Sequence, residues 1–130
     1  MALIFQPKPK SVLMCDFDGF KEPEMVKIRP VVVLARNKRN SRLVTVVPLS
    51  TTAPAVLEDH HHELSTNPLP DKPHVSCWAK CDMVITVSLH RLDRYKIGRR
   101  DYIVPQVSES DFIAIRLGVI SALSLSAVTK

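Results

Sequence analysis

Glycine is scarce: three in 130 residues, at positions 19, 98 and 118. A loop that cradles phosphate needs several glycines within a few residues, so nucleotide-binding loops of that kind are excluded. No serine sits in the glycine-flanked elbow that exposes a hydrolase nucleophile. Cysteine is also sparse and odd in number: Cys15, Cys77 and Cys81. A chain of this length can bury a core without staples, so these are expected to be reduced thiols in a cytosolic core rather than a disulfide framework. No apolar run approaches the ~20 residues of a membrane span. The short apolar start precedes Lys8 and Lys10, the reverse of the order in a secretory signal. A cytoplasmic protein with no membrane partner is therefore expected.

What is present is a basic chain of a size suited to one domain, residues 1–130. Lys and Arg number 18 against 13 Asp and Glu, a net charge of +5. That balance permits a polyanionic partner without requiring one. Ser11–Phe17 reads as a strand, and Asp18–Arg29, broken by Gly19 and Pro23, as a loop. Pro30–Ala35 is continuously apolar and β-branched, the pattern of a buried central strand opened by its proline. Arg36–Arg42 is a charged turn and Leu43–Leu49 another strand, bent or at an edge near Pro48. Ala55–Leu64 can form a strand, and Ser65–Pro73 is a proline-rich loop. His74–Val87 reads as one long strand, and Ser88–Asp101 as a short helical turn ending at Gly98. A final helix starts near Ser108 or Ser110, with Glu109 and Asp111 favoured by the positive end of its dipole. Phe112, Ile115, Val119, Ile120 and Leu123 give it one apolar face, interrupted by Arg116. Five or six short strands and one C-terminal helix predict a mainly β fold, a small twisted barrel or sandwich with the helix over one opening or face.

The long strand carries the candidate chemistry. With period two, Cys77, Ala79, Cys81, Met83, Ile85 and Val87 face the core, and Trp78, Lys80, Asp82, Val84 and Thr86 face away from it. Lys80 and Asp82 are then neighbours about 7 Å apart at the Cα. Pattern alone favours reading them as a solvated ion pair, which is worth little. Cys77 and Cys81 would lie about 13 Å apart along a strand, too far to share a zinc ion. The run His60, His61, His62 has no spaced partner and reads as surface, so no metal site is expected.

Val12–Gly19 (VLMCDFDG), Lys27–Ala35 (KIRPVVVLA), Val44–Thr52 (VTVVPLSTT) and Trp78–Leu92 (WAKCDMVITVSLHRL) resemble, in order, the segments of the PemK/MazF toxins. The C-terminal helix falls where that family has one. The resemblance implies an SH3-like small β-barrel of the CcdB/PemK/MazF type that works as a homodimer. It implies a metal-independent, cofactor-free endoribonuclease that cuts single-stranded mRNA selectively and is blocked by a cognate antitoxin protein. By the same resemblance Arg29 matches the family's active-site Arg before Pro, and Ser50 and Thr51 its hydroxyl pair. Lys80 and Asp82 match the ends of its Arg-Cys-Asp motif, with Lys in place of Arg. Glu24 falls where many members carry a Glu, and Pro23 where some carry a His.

Metal-free RNA cleavage needs a base for the ribose 2′-hydroxyl, a cation for the phosphoryl oxygens and an acid for the leaving 5′-oxygen. Asp82 suits the first and Arg29, with its planar fork, the second. Ser50 and Thr51 can donate to phosphate or ribose. Lys80 is either the acid or a further cation. Trp78 can stack on a base or pack against the sheet. Lys21 and Lys27 can guide RNA or simply face solvent. Two other readings share the scaffold: a toxin that poisons gyrase by protein contact, and an RNA-binding module without catalysis.

Overall fold

A computed structural model describes residues 3–125. The chain forms β1 (Val12–Asp16), β2 (Ile28–Arg36), β3 (Leu43–Ser50), β4 (His61–Glu63), β5 (Trp78–Lys80), β6 (Ile85–Ser88), β7 (Leu92–Asp93), β8 (Tyr95–Gly98), β9 (Asp101–Ile103) and one helix, α1 (Glu109–Ala122). The class is mainly β with a C-terminal helix, as expected. Seven strands make one antiparallel sheet, in the order β4-β5-β3-β2-β1-β7 with β6 also on β3, and β8 and β9 form a separate hairpin. The sheet is open: its path ends at β4 on one side and β7 on the other, so the described strands do not close a barrel.

The central strands are apolar in both phases because both faces of the sheet are covered. Val12, Val32, Val47 and Leu49 pack beneath Phe112, Ile115 and Val119 of α1. Leu13, Val31, Val33, Val44 and Val46 belong to a second cluster on the opposite face, with Phe17, Val87 and Leu92. Each fully buried Val or Leu contributes about 1.5–3 kcal/mol, so β2 and β3 anchor the fold from both sides. β2 begins two residues earlier than the proline rule suggests: Pro30 lies inside it, opposite Met14.

The reading of His74–Val87 as one strand is corrected. β5 pairs with the end of β3 (Leu49↔Ala79, Ser50↔Trp78) and β6 with its start (Val44↔Val87, Val46↔Ile85). Between them Cys81–Met83 forms a 3₁₀ turn opposite Val47 and Pro48. Pro48 has no N–H to offer a partner, which favours a break in the ladder there. Ala55–Leu64 contributes only the three-residue β4. The helical turn expected over Ser88–Asp101 is a 3₁₀ turn of three residues, Leu89–Arg91, and Gly98 instead closes the β8–β9 hairpin.

α1 starts where its caps predict. The Ser108 Oγ accepts the Asp111 N–H at 3.1 Å. Phe112, Ile115 and Val119 are buried, whereas Leu123 is exposed. Arg116 is exposed with its guanidinium 5.9 Å from the Phe112 ring centroid. No described helix is long and apolar enough to cross a membrane.

Candidate functional site

Cross-strand register places the polar residues of interest in a row. Residues opposite one another in an antiparallel pair share a face. Val31 pairs with Pro48 at the last rung between β2 and β3, and Arg29 and Ser50, each two residues beyond it in the same phase, line one cavity. Ser50 pairs in turn with Trp78, and Trp78 with Glu63. The next row holds Lys80 opposite His61. Arg29, Ser50, Trp78 and Lys80 thus share the face turned away from the helix, at the end of the sheet where its apolar covering stops.

Arg29, Ser50 and Thr51 line one cavity of about 200 Å³, together with Asn67, Lys72 and Tyr95. Ser50 is buried and its Oγ accepts the Thr52 N–H at 3.1 Å, which tightens the turn after β3. The proline-rich loop forms the far wall. It is held there by Asn67, which donates to Val75 O at 3.0 Å and accepts the Leu69 N–H at 2.9 Å. Tyr95 donates its hydroxyl proton to Asp71 at 2.8 Å. Burial, and then the neighbouring Asp71, push the Tyr95 pKa upward, so it remains a donor at neutral pH. Lys72 was not among the sequence candidates. Its only signal is a lone cation in a loop otherwise rich in Pro, Asn and Ser.

Asp82 and Glu24 line a different hollow, of about 150 Å³, walled by Phe17, Phe20, Met25, Met83, Val84 and Ile85. Glu24 is anchored by the Lys21 N–H, which donates to its Oε1 at 2.8 Å. Arg91 ties that loop down: its guanidinium donates to Asp16 O and Asp18 O at 2.9 and 2.8 Å and lies 4.7 Å from the Phe20 ring centroid. Lys80, Trp78, Lys21 and Lys27 line neither cavity. Lys80 and Trp78 are half-buried, and Lys21 and Lys27 are exposed on the loop before β2. A larger groove of about 490 Å³ adjoins the first cavity, sharing Met14, Ile28 and Tyr95, and carries His90, Arg91, Arg94 and Lys96.

The expectation of neighbouring Lys80 and Asp82 side chains on one strand is altered by the 3₁₀ turn. Asp82 swings off the strand, and its carboxylate lies 4.0 Å from His60 Nε2 instead. The histidine run is not a bare surface feature either. His62 Nε2 lies 2.9 Å from Asp111 Oδ1, and the His61 Nδ1 accepts the Glu58 N–H at 2.8 Å. Asp111 is buried and also accepts from the Ser65 N–H and hydroxyl. Burial alone would raise its pKa. The hydrogen bonds from His62, Ser65 and Ser108 outweigh that and hold the carboxyl below its ordinary value.

All three cysteines are free and buried. Burial pushes Cys15 up to about 12 and Cys77 and Cys81 to about 11, so they stay thiols at neutral pH and have core roles. Among the described residues no group of three or more His, Cys, Asp or Glu is placed to hold a metal ion.

With this geometry in place, the comparisons define a class. Residues 8–122 match the family of PemK-like, MazF-like toxins of type II toxin-antitoxin systems, and the chain belongs to that family. Among individual relatives, the protein YifN of Escherichia coli (strain K12) is 33% identical over 148 residues, covering 96% of this chain and 99% of that one. Two solved structures share the fold. An endoribonuclease in complex with its cognate antitoxin, from a Mycobacterial species, has a TM-score of 0.66 at 20% identity over 94% of this chain and 99% of its own. MazF from Deinococcus radiodurans has a TM-score of 0.69 at 15% identity over 92% and 98%.

Proposed function

We propose that this protein is the toxin of a type II toxin–antitoxin pair and cleaves single-stranded mRNA in the cytoplasm as a metal-independent endoribonuclease. One observation carries the reading: the β2–β3 register gathers Arg29, Ser50 and Thr51 around one cavity in a chain of this family. A guanidinium and two hydroxyls are the donors a phosphodiester needs. Arg29 takes two phosphoryl oxygens at once, and Ser50 and Thr51 donate to phosphate or ribose. Lys72 adds positive charge in the same cavity and Lys80 further along the same face of the sheet, the role a metal would otherwise fill.

Asp82 is the base. It takes the proton from the 2′-hydroxyl as that oxygen attacks phosphorus, and the bond to the 5′-oxygen breaks as that oxygen is protonated by Lys80 or water. The products are a 2′,3′-cyclic phosphate and a 5′-hydroxyl. DNA lacks the attacking group and is not a substrate. Trp78 stacks on a base beside the cut. Glu24, Lys21 and Lys27 contact the strand from the loop before β2. A homodimer is the working form, and a cognate antitoxin covers the Arg29 cavity. The Mycobacterial neighbour, an endoribonuclease in complex with its cognate antitoxin, supports such a partnership.

The test is incubation of purified protein with a long single-stranded RNA in excess EDTA, beside a folded Asp82→Ala variant. Cuts at discrete sites by the parent, lost in the variant, are expected. No cutting by antitoxin-free parent points instead to a non-enzymatic toxin or an RNA-binding module.

A further inference from the structure

The loop before β4 and the turn after β5 bring together two side chains that the sequence separates by 22 positions. His60 stands between two carboxylates: its Nδ1 lies 3.5 Å from Glu58 Oε2 and its Nε2 lies 4.0 Å from Asp82 Oδ2. The imidazole is largely enclosed, its side chain 16% exposed, whereas Asp82 is 55% exposed. Its ring also lies tilted against that of His61, the centroids 4.1 Å and the planes 52° apart. Among the described residues His60 is the one ion-pair or hydrogen-bond partner offered to Asp82.

The backbones on both sides are held by one helix position. A Cβ at Gly118 of α1 would stand 2.9 Å from His60 O and 2.6 Å from Cys81 Sγ. The Cys81 thiol donates to Ile115 O at 3.6 Å, which also ties the Asp82 turn to the helix. The groups that face His60 are therefore Glu58 and His61 from its own segment and Asp82 from the 3₁₀ turn, and α1 meets it with a glycine. A half-buried, doubly flanked imidazole next to an exposed carboxylate has the arrangement of an orienting group and the group it orients.

We propose that His60 is a positioning residue for Asp82. The inference rests on the ribonuclease reading above. His60 directs its Nε2–H at one carboxylate oxygen, so the other is turned toward the ribose 2′-hydroxyl, and Glu58 fixes the ring from its far side. The 4.0 Å separation is an ion-pair distance, and such contacts tighten when substrate completes the site.

The experiment is steady-state cleavage of a short single-stranded RNA in EDTA by the parent, His60→Ala, His60→Gln, Asp82→Ala and the His60→Ala/Asp82→Ala double variant. Thermal melts confirm that each is folded. His60→Ala is expected to lower kcat by about tenfold to a hundredfold, part of the hundredfold to ten-thousandfold that a positioned base contributes, with KM unchanged. His60→Gln, whose amide keeps an N–H donor near Nε2, is expected to recover most of that loss. In the Asp82→Ala background, His60→Ala is expected to cost nothing further, because the group it orients is gone. A His60→Ala variant that cuts at the parental rate overturns the inference and leaves the ribonuclease reading standing. So does a loss that is equal with and without Asp82. A parent that does not cut RNA overturns both.

Discussion

The two faces of the central sheet are built from the same strands and end differently. On the helix side, Val12, Val32 and Val47 meet Phe112, Ile115 and Val119, and the seam is closed by a buried carboxylate, Asp111. On the other side, Leu13, Val31, Val33 and Val46 form an equally buried cluster. There the apolar run stops at the end of β2 and β3, and the same phase of the strands continues as Arg29, Ser50, Trp78 and Lys80. Among the described residues the helix side holds the one buried charge, Asp111, beside the start of α1. The other side ends in the half-buried Arg29, Trp78 and Lys80 and the buried Ser50. On the reading proposed above, that polar end serves cleavage and the apolar seam serves stability, and substitutions should separate them.

Arg29→Ala tests that separation most strongly. Cleavage is expected to fall by about a hundredfold to a thousandfold, as when one preorganised donor to transition-state charge is removed. The melting temperature is expected to stay near the parent's because no core contact is lost. A large loss of stability measured in a urea melt would show that Arg29 holds the fold together.

Asp111→Ala is the opposite case. Deleting a buried carboxylate with three hydrogen-bonding partners is expected to cost about 2–3 kcal/mol of stability, with cleavage retained where the variant is folded. The pH dependence follows from the lowered Asp111 pKa. A depressed folded-state value stabilises the fold above the unfolded-state value, roughly 3.9. That stabilisation disappears as pH falls through the folded value. Urea melts of parent and variant should therefore differ more at pH 7 than at pH 3. A constant difference would mean that the cap does not depend on the charge.

Gly118→Ala links the two faces. The new Cβ gains about 1 kcal/mol of helix propensity but must displace His60 O or Cys81 Sγ, at 2.9 and 2.6 Å. Overpacking of this kind costs roughly 1–3 kcal/mol, so a small net destabilisation is expected. Because the displaced atoms flank Asp82, cleavage at a temperature where the variant is folded should fall as well. Unchanged cleavage would show that the helix does not set the position of the Asp82 turn.

Trp78→Leu should have the smallest effect, a loss of about 1 kcal/mol in RNA affinity if one base stacks there. Fluorescence anisotropy with a labelled oligonucleotide would measure it. No change would assign Trp78 to the sheet alone.

Much of this was legible in the residues. The valine run of β2 announced a buried central strand, and Ser108 with Glu109 and Asp111 marked the helix start. β3, expected to bend or lie at an edge near Pro48, is instead central, with β2 on one side and β5 and β6 on the other; Pro48 interrupts the partner strand rather than the position of β3. The candidates Arg29, Ser50 and Thr51 came from short motifs, and pattern alone could not have placed them in one cavity. The alternation from Cys77 to Val87 put six side chains on one core face, and only its first half holds: Cys77, Ala79 and Cys81 are buried on the helix side, Val87 is buried in the opposite cluster, and Met83 and Ile85 are half-buried. The turn at Cys81–Met83 switches the face, and strict alternation carries no sign of such a switch. The β8–β9 hairpin, with its run of charges around Gly98, carried too little periodicity to distinguish a strand from a helical turn.

By itself the sequence determined the local choices: strands where β-branched residues run together, a helix where a serine cap precedes an apolar stripe, and thiols without disulfide partners. The tertiary structure alone decided which distant residues meet. Strand pairing brought Arg29 and Ser50 to one cavity, the proline-rich loop brought Lys72 to them, and packing against Gly118 left His60 beside Asp82. Secondary structure responds to neighbours a few positions apart, whose spacing is written in the chain. A site depends on strand pairing and helix docking across tens of residues, and those become definite only when the whole core packs.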